Sequence, residues 1–181
     1  MRRTEHMTLF HGAGDFLSNW HPVVFTYRGH QFNCVEQFMM FAKAKMFGDE
    51  RASDKIMATS DPRKQKALGR QVQGYDDAIW AAKRLNIVTV ACREKFAQNP
   101  ALLADLMATR DTMIVEASPY DKVWGIGVGE NDPRALDPSK WLGLNLLGKA
   151  LMEVRAQLSL KEALAHPHGV GAPVRPRLRS T

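Results

Sequence analysis

The stretch from Val35 to Met46 reads VEQFMMFAKAKM and sets the interpretation of the rest of the sequence. Its apolar residues recur at steps of three and four, which is the period of one face of an α-helix. We therefore predict a half-buried helix here, with an apolar face formed by Val35, Phe38, Met39, Ala42 and Met46.

Further elements follow from apolar periodicity bounded by Pro, Gly and Asn. Four more helices are predicted, over about residues 63–70, 76–98, 101–108 and 144–164. The first of these begins at Ser60-Asp61-Pro62, because proline is favoured at an early helical position. A β-hairpin is predicted over 23–32 and a strand over 112–117. The predicted fold class is mainly α with a small β element, in a single compact helical domain.

The length and composition fit one globular domain. The chain has 181 residues, too few for two domains of ordinary size, and 45% of them are hydrophobic and 24% charged. Every apolar run is shorter than the roughly 20 residues that cross a bilayer. After the basic start Met1-Arg2-Arg3, Glu5 and His6 stand where a signal peptide has its apolar stretch. We therefore predict a cytoplasmic protein with no membrane partner.

The net charge of +6 is concentrated at the two ends of the chain. Five arginines carry most of it, namely Arg2, Arg3, Arg175, Arg177 and Arg179. The body of the chain, residues 4–174, then carries only +1. Because a charged end is usually a solvated tail, nucleic-acid binding is the less favoured interpretation of this charge.

Three segments are predicted along the chain. Residues 165–181 read AHPHGVGAPVRPRLRST, with no aromatic residue and no period, and are predicted to form a disordered basic tail. Residues 1–7 are predicted to be a flexible N-terminus. The folded domain is expected to cover residues 8–160.

Glu36 interrupts an otherwise apolar stretch from Phe32 to Phe41. One interpretation places it at the polar edge of the helix beside a local partner, and spacing alone favours this interpretation. The other aims the carboxylate into a pocket. Lys43 supports the second, because seven residues are nearly two turns and separate the two side chains by about 10 Å on one face. That gap suits a ligand with a sugar near Glu36 and a phosphate near Lys43.

Two further segments carry residues suited to ligand binding. The stretch that begins at Asp121 reads DKVWGIGVG, in which alternate glycines let the backbone approach a ligand and Trp124 offers a flat face for a base. It lacks the later glycine of a dinucleotide-binding fingerprint. The segment Phe16–Trp20 holds Ser18 and Asn19 between bulky residues. Taken alone, each segment is also the pattern of an ordinary turn.

The two cysteines, Cys34 and Cys92, lie among apolar neighbours and are predicted to be buried, reduced thiols. A catalytic Cys34 is the alternative, since His21 and His30 precede it. Neither cysteine belongs to a pair with metal-ligand spacing, and the histidines lie mostly near the chain ends. We therefore predict a protein that uses no metal and no cofactor.

Six blocks of sequence, in order over about residues 8–158, resemble the NADAR or YbiA-like domain family. The blocks are FLSNW at 16–20, VE at 35–36 with KA at 43–44, KF at 95–96 with NP at 99–100, VEAS at 115–118, D at 121 with WGIG at 124–127, and GLNLLG at 143–148. Their order, rather than any single block, carries the resemblance. The family fold is mainly α-helical, in agreement with the fold predicted from periodicity.

The resemblance implies an N-glycosidase that uses no metal. Some members of the family hydrolyse the ribosyl C–N bond of early riboflavin-pathway pyrimidine phosphates, and others are ADP-ribosyl hydrolases. Carried over residue by residue, the resemblance implies Glu36 and Asp121 as catalytic residues. The implied substrate-binding residues are Ser18, Asn19, Lys43, Trp124 and Gly125.

Each of these residues has an expected role in the implied reaction. Cleavage of a ribosyl C–N bond develops positive charge on the sugar, which Glu36 is expected to stabilise while it activates water. Asp121 is expected to act as acid or orienting group, by analogy with O-glycosidases. Trp124 is expected to stack on the base and Lys43 to hold a phosphate as a point charge. Ser18 and Asn19 are expected to bond the ribose hydroxyls or the base edge.

Three functions compete on this sequence. The favoured one is hydrolysis of free phosphoribosyl pyrimidines, a small-molecule activity that protects the cell from reactive metabolites. The second is the same chemistry on an ADP-ribosylated nucleobase or protein, with the basic tail recruiting nucleic acid. The third is a non-catalytic module that binds ADP-ribose or a nucleotide. The pair of carboxylates argues against this module, because binding an anion gains nothing from two negative charges.

The sequence departs from the family pattern at two positions. Gln37 stands where many members have His, and Val88 stands where Met is common. The first change bears on the pocket, so the reaction type transfers from the family more securely than the identity of the substrate. No protein partner is implied.

Overall fold

The computed structural model describes residues 1–165, and helices dominate this range. The helices are α1 (Val35–Met46), α2 (Glu50–Met57), α3 (Pro62–Gly69), α4 (Asp77–Ala97), α5 (Pro100–Met107) and α6 (Leu146–Ala165). The strands are β1 (Arg2–Arg3), β2 (Met7–Phe10), β3 (Phe25–Tyr27), β4 (His30–Phe32) and β5 (Met113–Glu116). The predicted fold class, mainly α with a small β element, is confirmed. Within this range, no helix combines the length and apolar character needed to cross a membrane.

The predicted helices correspond to α1, α3, α4, α5 and α6, while β3–β4 is the predicted hairpin and β5 the predicted strand. The sequence did not predict α2. This helix begins after Asp49, whose carboxylate accepts a hydrogen bond of 2.9 Å from the Ala52 N–H. Only Ser53 and Ile56 of its residues are buried, which leaves too few apolar positions to display a helical period.

The N-terminus belongs to a sheet, whereas the sequence predicts a flexible segment over residues 1–7. Arg2 and Arg3 form β1 and pair antiparallel with β2, Arg2 lying opposite Leu9. The terminal ammonium group of Met1 lies 3.4 Å from the Asp15 carboxylate. Strand β1 is only two residues long and both are arginines, so no apolar pattern predicts its pairing. The predicted basic tail lies outside the described residues from position 166 onward.

Strands β2 and β5 pair in parallel although more than 100 residues separate them in sequence. Leu9 lies opposite Val115 and Phe10 opposite Glu116, so the carboxyl ends of both strands meet at one edge of the sheet. Leu9 and Val115 also pack with Ile126 in a small apolar cluster under the sheet. This cluster fixes the loop after β5 against the strands.

Helix α1 lies at the centre of the helical part, packed against α2, α3 and α4, and α4 packs in turn on α6. The sequence predicted a half-buried α1, and this prediction is wrong for its first half. Every residue from Val35 to Met40 is buried, whereas Met46 is 36% exposed. Neighbouring helices surround the start of α1, so the polar side chains of Glu36 and Gln37 are buried with the apolar ones.

Candidate active site

A cavity of about 490 Å³ opens where the loop after β2 meets α1, α3 and the loop after β5. This volume falls in the range of about 300–1,000 Å³ that is usual for small-molecule sites. Five of the predicted site residues line it, namely Ser18, Asn19, Glu36, Asp121 and Trp124. The fold thus brings together three segments that the sequence singled out separately.

Glu36 lies in the first turn of α1 and is only 2% exposed. Its Oε2 accepts a hydrogen bond of 3.2 Å from the Trp20 indole N–H, and its backbone N–H donates to the Asn19 carbonyl at 2.9 Å. Among the described residues, Oε1 has no hydrogen-bond partner. Burial raises the pKa of Glu36 to about 7, while the charge of Lys66 opposes the rise. One carboxyl oxygen is thus fixed and the other is available to a ligand.

Glu116, the last residue of β5, lines the cavity but was not predicted as a site residue. Its Oε2 is enclosed and has no hydrogen-bond partner in the described part of the chain. Burial raises the pKa of Glu116 to about 8; the charge of Asp121 adds to the rise and that of Lys66 opposes it. A signal was present in the sequence, since Glu116 interrupts an apolar strand as Glu36 interrupts an apolar helix.

Asp121 is occupied by contacts within its own loop. Its Oδ1 accepts two backbone hydrogen bonds, from the Val123 N–H at 2.9 Å and from the Trp124 N–H at 2.8 Å. Its Oδ2 lies 3.8 Å from the Lys66 ammonium group. These contacts shape the turn that carries Trp124, and they favour an orienting role for Asp121 over an acid role.

The positive charge at the cavity comes from α3. Lys66 and Arg63 both line it, and the Lys66 ammonium lies 5.7 Å from the centre of the Trp20 ring. Neither residue was predicted as part of the site, because the sequence offered no reason to place α3 beside α1.

Lys43, which the sequence predicts beside a substrate phosphate, does not line this cavity. Its ammonium group lies 3.9 Å from the centre of the Tyr75 ring and 5.6 Å from that of Trp80. The side chain is buried and makes cation–π contacts there. Helical spacing gave its distance from Glu36 along the axis but not the direction in which the cavity opens.

The loop that carries Ser18 and Asn19 is held from behind by α4. The buried Lys95 ammonium donates to the carbonyls of Phe16 at 2.6 Å and Ser18 at 3.0 Å. The Ser18 hydroxyl accepts from the Trp20 N–H at 3.1 Å. Among the described residues the buried Asn19 Oδ1 has no partner, so it can accept a hydrogen bond from a ligand. Lys95 lay in a block of the resemblance but was assigned no role.

Gly125 supports the site from outside the cavity rather than lining it. A Cβ at this position would come within 2.8 Å of the Glu116 carbonyl oxygen and 2.9 Å of the Asp121 carbonyl oxygen. Only glycine therefore lets the loop after β5 pack this closely on the end of the strand.

The Gln37 side chain points away from the cavity. Its amide N–H₂ donates to the carbonyls of Ile56 and Thr59, both at 3.2 Å, and its Oε1 accepts from the Asn33 N–H at 2.8 Å. Gln37 thus ties the start of α1 to the segment between α2 and α3. The departure from the family pattern at this position leaves the cavity wall unchanged.

Cys34 serves as the N-cap of α1 and does not line the cavity. Its Sγ accepts from the Gln37 N–H at 3.4 Å and donates to Gln65 Oε1 at 3.2 Å. Burial raises the pKa of the Cys34 thiol to about 11, so the thiolate that a nucleophile needs is disfavoured. Both cysteines are buried free thiols, as the first of the two interpretations predicted.

Comparisons with known proteins agree with this fold. The NADAR domain family matches residues 9–159. The chain is 41% identical over 165 residues to N-glycosidase R617 of Acanthamoeba polyphaga mimivirus, covering 85% of this chain and 97% of that protein. It is 30% identical over 122 residues to N-glycosidase YbiA of Escherichia coli (strain K12), covering 67% of this chain and 69% of that protein.

Two further likenesses extend the comparison. The NMR structure of E. coli YbiA matches with a TM-score of 0.74 at 26% identity, covering 93% of this chain and 94% of that one. The chain is also 32% identical over 143 residues to Riboflavin biosynthesis protein VVA0006 of Vibrio vulnificus (strain YJ016). That match covers 79% of this chain but only 35% of the longer relative.

The chain therefore belongs to the NADAR domain family. The predicted family, the helical fold of the YbiA-like type and the enzyme class, a hydrolase that acts on N-glycosyl bonds, are confirmed.

Proposed function

We propose that this protein hydrolyses the C–N bond between ribose 5-phosphate and the amine of phosphoribosyl pyrimidine intermediates in riboflavin biosynthesis. The names of two relatives, both N-glycosidases, support the reaction, and that of a third, a riboflavin biosynthesis protein, supports the pathway. Removal of these reactive phosphoribosyl compounds protects the cell from the damage they cause.

The observation that carries the proposal is the Glu36 carboxyl group. It is buried at the wall of a cavity, one oxygen is fixed by Trp20 and the other has no partner among the described residues. With a pKa near 7, it is divided between its two protonation states at neutral pH. A general base is most effective when its pKa lies near the working pH.

Glu36 acts on the ribose carbon that carries the base. As the C–N bond lengthens, positive charge grows on C1 and the ring oxygen of the sugar. A carboxylate in a site shielded from water stabilises this charge more strongly than the same group would in water. The same carboxylate accepts the proton of the attacking water.

The rest of the cavity holds the two ends of the substrate. Lys66 and Arg63 neutralise the 5-phosphate, Arg63 with a planar fork of donors and Lys66 as a point charge. Trp124 provides an aromatic wall for the pyrimidine, and Asn19 accepts a hydrogen bond from a base amine or a ribose hydroxyl.

The direct test is turnover of a synthetic phosphoribosylaminopyrimidine, with released ribose 5-phosphate as the readout. We expect release by the wild type and none above background by Glu36→Gln. The matched control is Glu153→Gln, because Glu153 is exposed on α6 and outside the cavity. Absence of release by the wild type would contradict the proposed substrate.

Tyr120 supports a second substrate class, ADP-ribosylated nucleobases or proteins. This tyrosine lies at the cavity and is 92% exposed. An aromatic ring held in water beside a binding site is suited to stacking on a part of the ligand that extends outside the cavity. An ADP-ribosyl group carries such a part, its adenine, whereas a phosphoribosyl pyrimidine does not.

Two substitutions separate these substrate classes. Under the second class, Tyr120→Ala lowers kcat/KM for ADP-ribosylated DNA by about tenfold, the value of one lost base stack, and leaves the small substrate unaffected. Deletion of residues 166–181 also flattens the salt dependence of DNA binding by up to about three phosphate contacts. Under the first class, both changes leave kcat/KM for the phosphoribosylaminopyrimidine as in the wild type.

A further inference from the structure

Glu116 is held at the edge of the sheet that faces the cavity. Glu116 is the last residue of β5 and lies beside the end of the parallel strand β2. In parallel sheets, ligands commonly bind outside the carboxyl ends of the strands. Its N–H donates to Asn145 Oδ1 at 3.0 Å, and its carbonyl accepts from the Ile126 N–H at 3.0 Å. The backbone of Glu116 is therefore fixed on both sides, and its side chain enters the cavity from a rigid strand.

The surroundings of the Glu116 carboxyl favour its neutral form. The charged and titratable groups that face it are Asp121, Glu36 and Lys66. Its Oε2 is enclosed without a hydrogen-bond partner in the described part of the chain, whereas both oxygens of Asp121 face donors or a cation. A neutral carboxyl in a cavity is a hydrogen-bond donor, and here no described acceptor takes that bond.

We propose that Glu116 is the catalytic acid of this site and protonates the nitrogen of the leaving base as the C–N bond breaks; this role rests on the proposed function. Glu36 and Glu116 then divide the work of the two carboxyl groups. The geometry fits this division, because the Trp20 indole N–H donates to the Glu36 carboxyl and favours its charged form, whereas Oε2 of Glu116 has no donor among the described residues.

The step balances with one water molecule. The water oxygen bonds to C1 of the ribose and its proton passes to the Glu36 carboxylate. The electron pair of the broken C–N bond stays on the nitrogen, which takes the proton of Glu116. The products are ribose 5-phosphate and the free pyrimidine amine, with Glu36 neutral and Glu116 charged. Glu36 then releases one proton to solvent and Glu116 takes one up from solvent, which restores both groups.

The experiment compares two leaving groups in the full chain. One probe is a phosphoribosylaminopyrimidine, whose amine needs a proton to leave; the other is 4-nitrophenyl riboside 5-phosphate, whose phenolate leaves without one. We expect Glu116→Gln to lower kcat/KM for the amine probe by about 100-fold or more, the usual contribution of general acid catalysis. The nitrophenyl probe should lose less than about tenfold. Glu153→Gln is the matched control and should retain wild-type rates on both probes.

The pH profile of kcat/KM on the amine probe gives a second readout. The wild-type rate should fall above about pH 8, where Glu116 loses its proton, and Glu116→Gln should lack this alkaline limb. Equal losses on both probes, or an unchanged alkaline limb, overturn the acid role and leave the proposed function intact. Wild-type protein that cleaves neither probe overturns the proposed function and the acid role together.

Discussion

The burial of Glu36 that suits it to its proposed role as a base also opposes folding at neutral and alkaline pH. Its pKa in the folded protein, about 7, lies above the ordinary value of 4.5. The folded state therefore holds this proton more tightly than the unfolded chain does. The resulting stabilisation is complete below about pH 4.5 and is lost as the pH rises through about 7.

Glu36→Gln should consequently abolish turnover and stabilise the protein at pH 8. The shift of the Glu36 pKa corresponds to about 3 kcal/mol in the free energy of unfolding. The wild type loses this stability as the pH rises through the pKa, whereas the variant keeps it because its amide does not ionise. Urea unfolding of both proteins at pH 4.5 and pH 8 measures this, and the variant should gain relative to the wild type only at the higher pH. A loss of only a few-fold in the rate of Glu36→Gln would show that Glu36 is not at the reaction centre.

Lys66→Met should weaken substrate binding, whereas Lys43→Met should lower the stability of the fold. Lys66 faces the cavity, so its loss should raise KM for a phosphorylated substrate by about tenfold or more, the value of one charged hydrogen bond. Lys43 contacts Tyr75 and Trp80 instead, so its loss should lower the melting temperature and leave KM unchanged. Steady-state kinetics and thermal unfolding of both variants distinguish these effects. A raised KM in the Lys43 variant would show that Lys43 contributes to substrate binding.

At the scale of elements, α4 anchors the loop after β2 through one buried ammonium group. Burial lowers the pKa of Lys95 to about 8 from the ordinary 10.5. Between these values the unfolded chain binds the proton and the folded protein does not. The wild type therefore gains stability from this group as the pH rises from about 8 to about 10.5.

Lys95→Met should remove this gain. Relative to the variant, the wild type should become more stable by up to about 3 kcal/mol between pH 8 and pH 10.5. Urea unfolding of both proteins at the two pH values provides the measurement, with Lys149→Met on the exposed side of α6 as the control. If the free energy of unfolding changed with pH equally in the wild type and in Lys95→Met, the lowered pKa of Lys95 would be contradicted.

The helices were predictable where one chain segment supplies the whole signal. Apolar periodicity placed α1 and α4 close to their observed bounds, whereas α2 was missed because few of its residues are buried. The parallel pairing of β2 with β5 could not be predicted from the local sequence, since each strand is only four residues long. Long-range pairing is decided by tertiary contacts that a local pattern does not contain.

The same reason explains what was found and missed at the site. Glu36, Asp121 and Trp124 were predicted because each stands out from its immediate neighbours or lies in a recognisable block. The position of Glu116 depends on the register of β5 against β2, and that of Lys66 on the packing of α3 against α1. Lys43 lies outside the cavity because its side chain contacts Tyr75 instead.

At the scale of the whole molecule, the described residues contain no group of three or more His, Cys, Asp and Glu side chains arranged to hold a metal ion. We expect turnover to survive treatment with EDTA, because in the proposed reaction Glu36 and a water molecule supply the base and the nucleophile. Activity on the phosphoribosylaminopyrimidine before and after chelation checks this. Complete loss in EDTA that added metal reverses would contradict it.

The parallel pairing of β2 with β5 also determines when the cavity can form during synthesis. The strand that carries Glu116 and the loop that carries Trp124 are synthesised about 80–90 residues after Glu36, which takes several seconds at ordinary elongation rates. A nascent chain that ends before Trp124 lacks a wall of the site. Closing so long a segment is also slow in folding, because distant contacts form only after the entropy of the intervening loop is lost. The complete cavity can therefore form only after residue 124 has been synthesised and β5 has paired with β2.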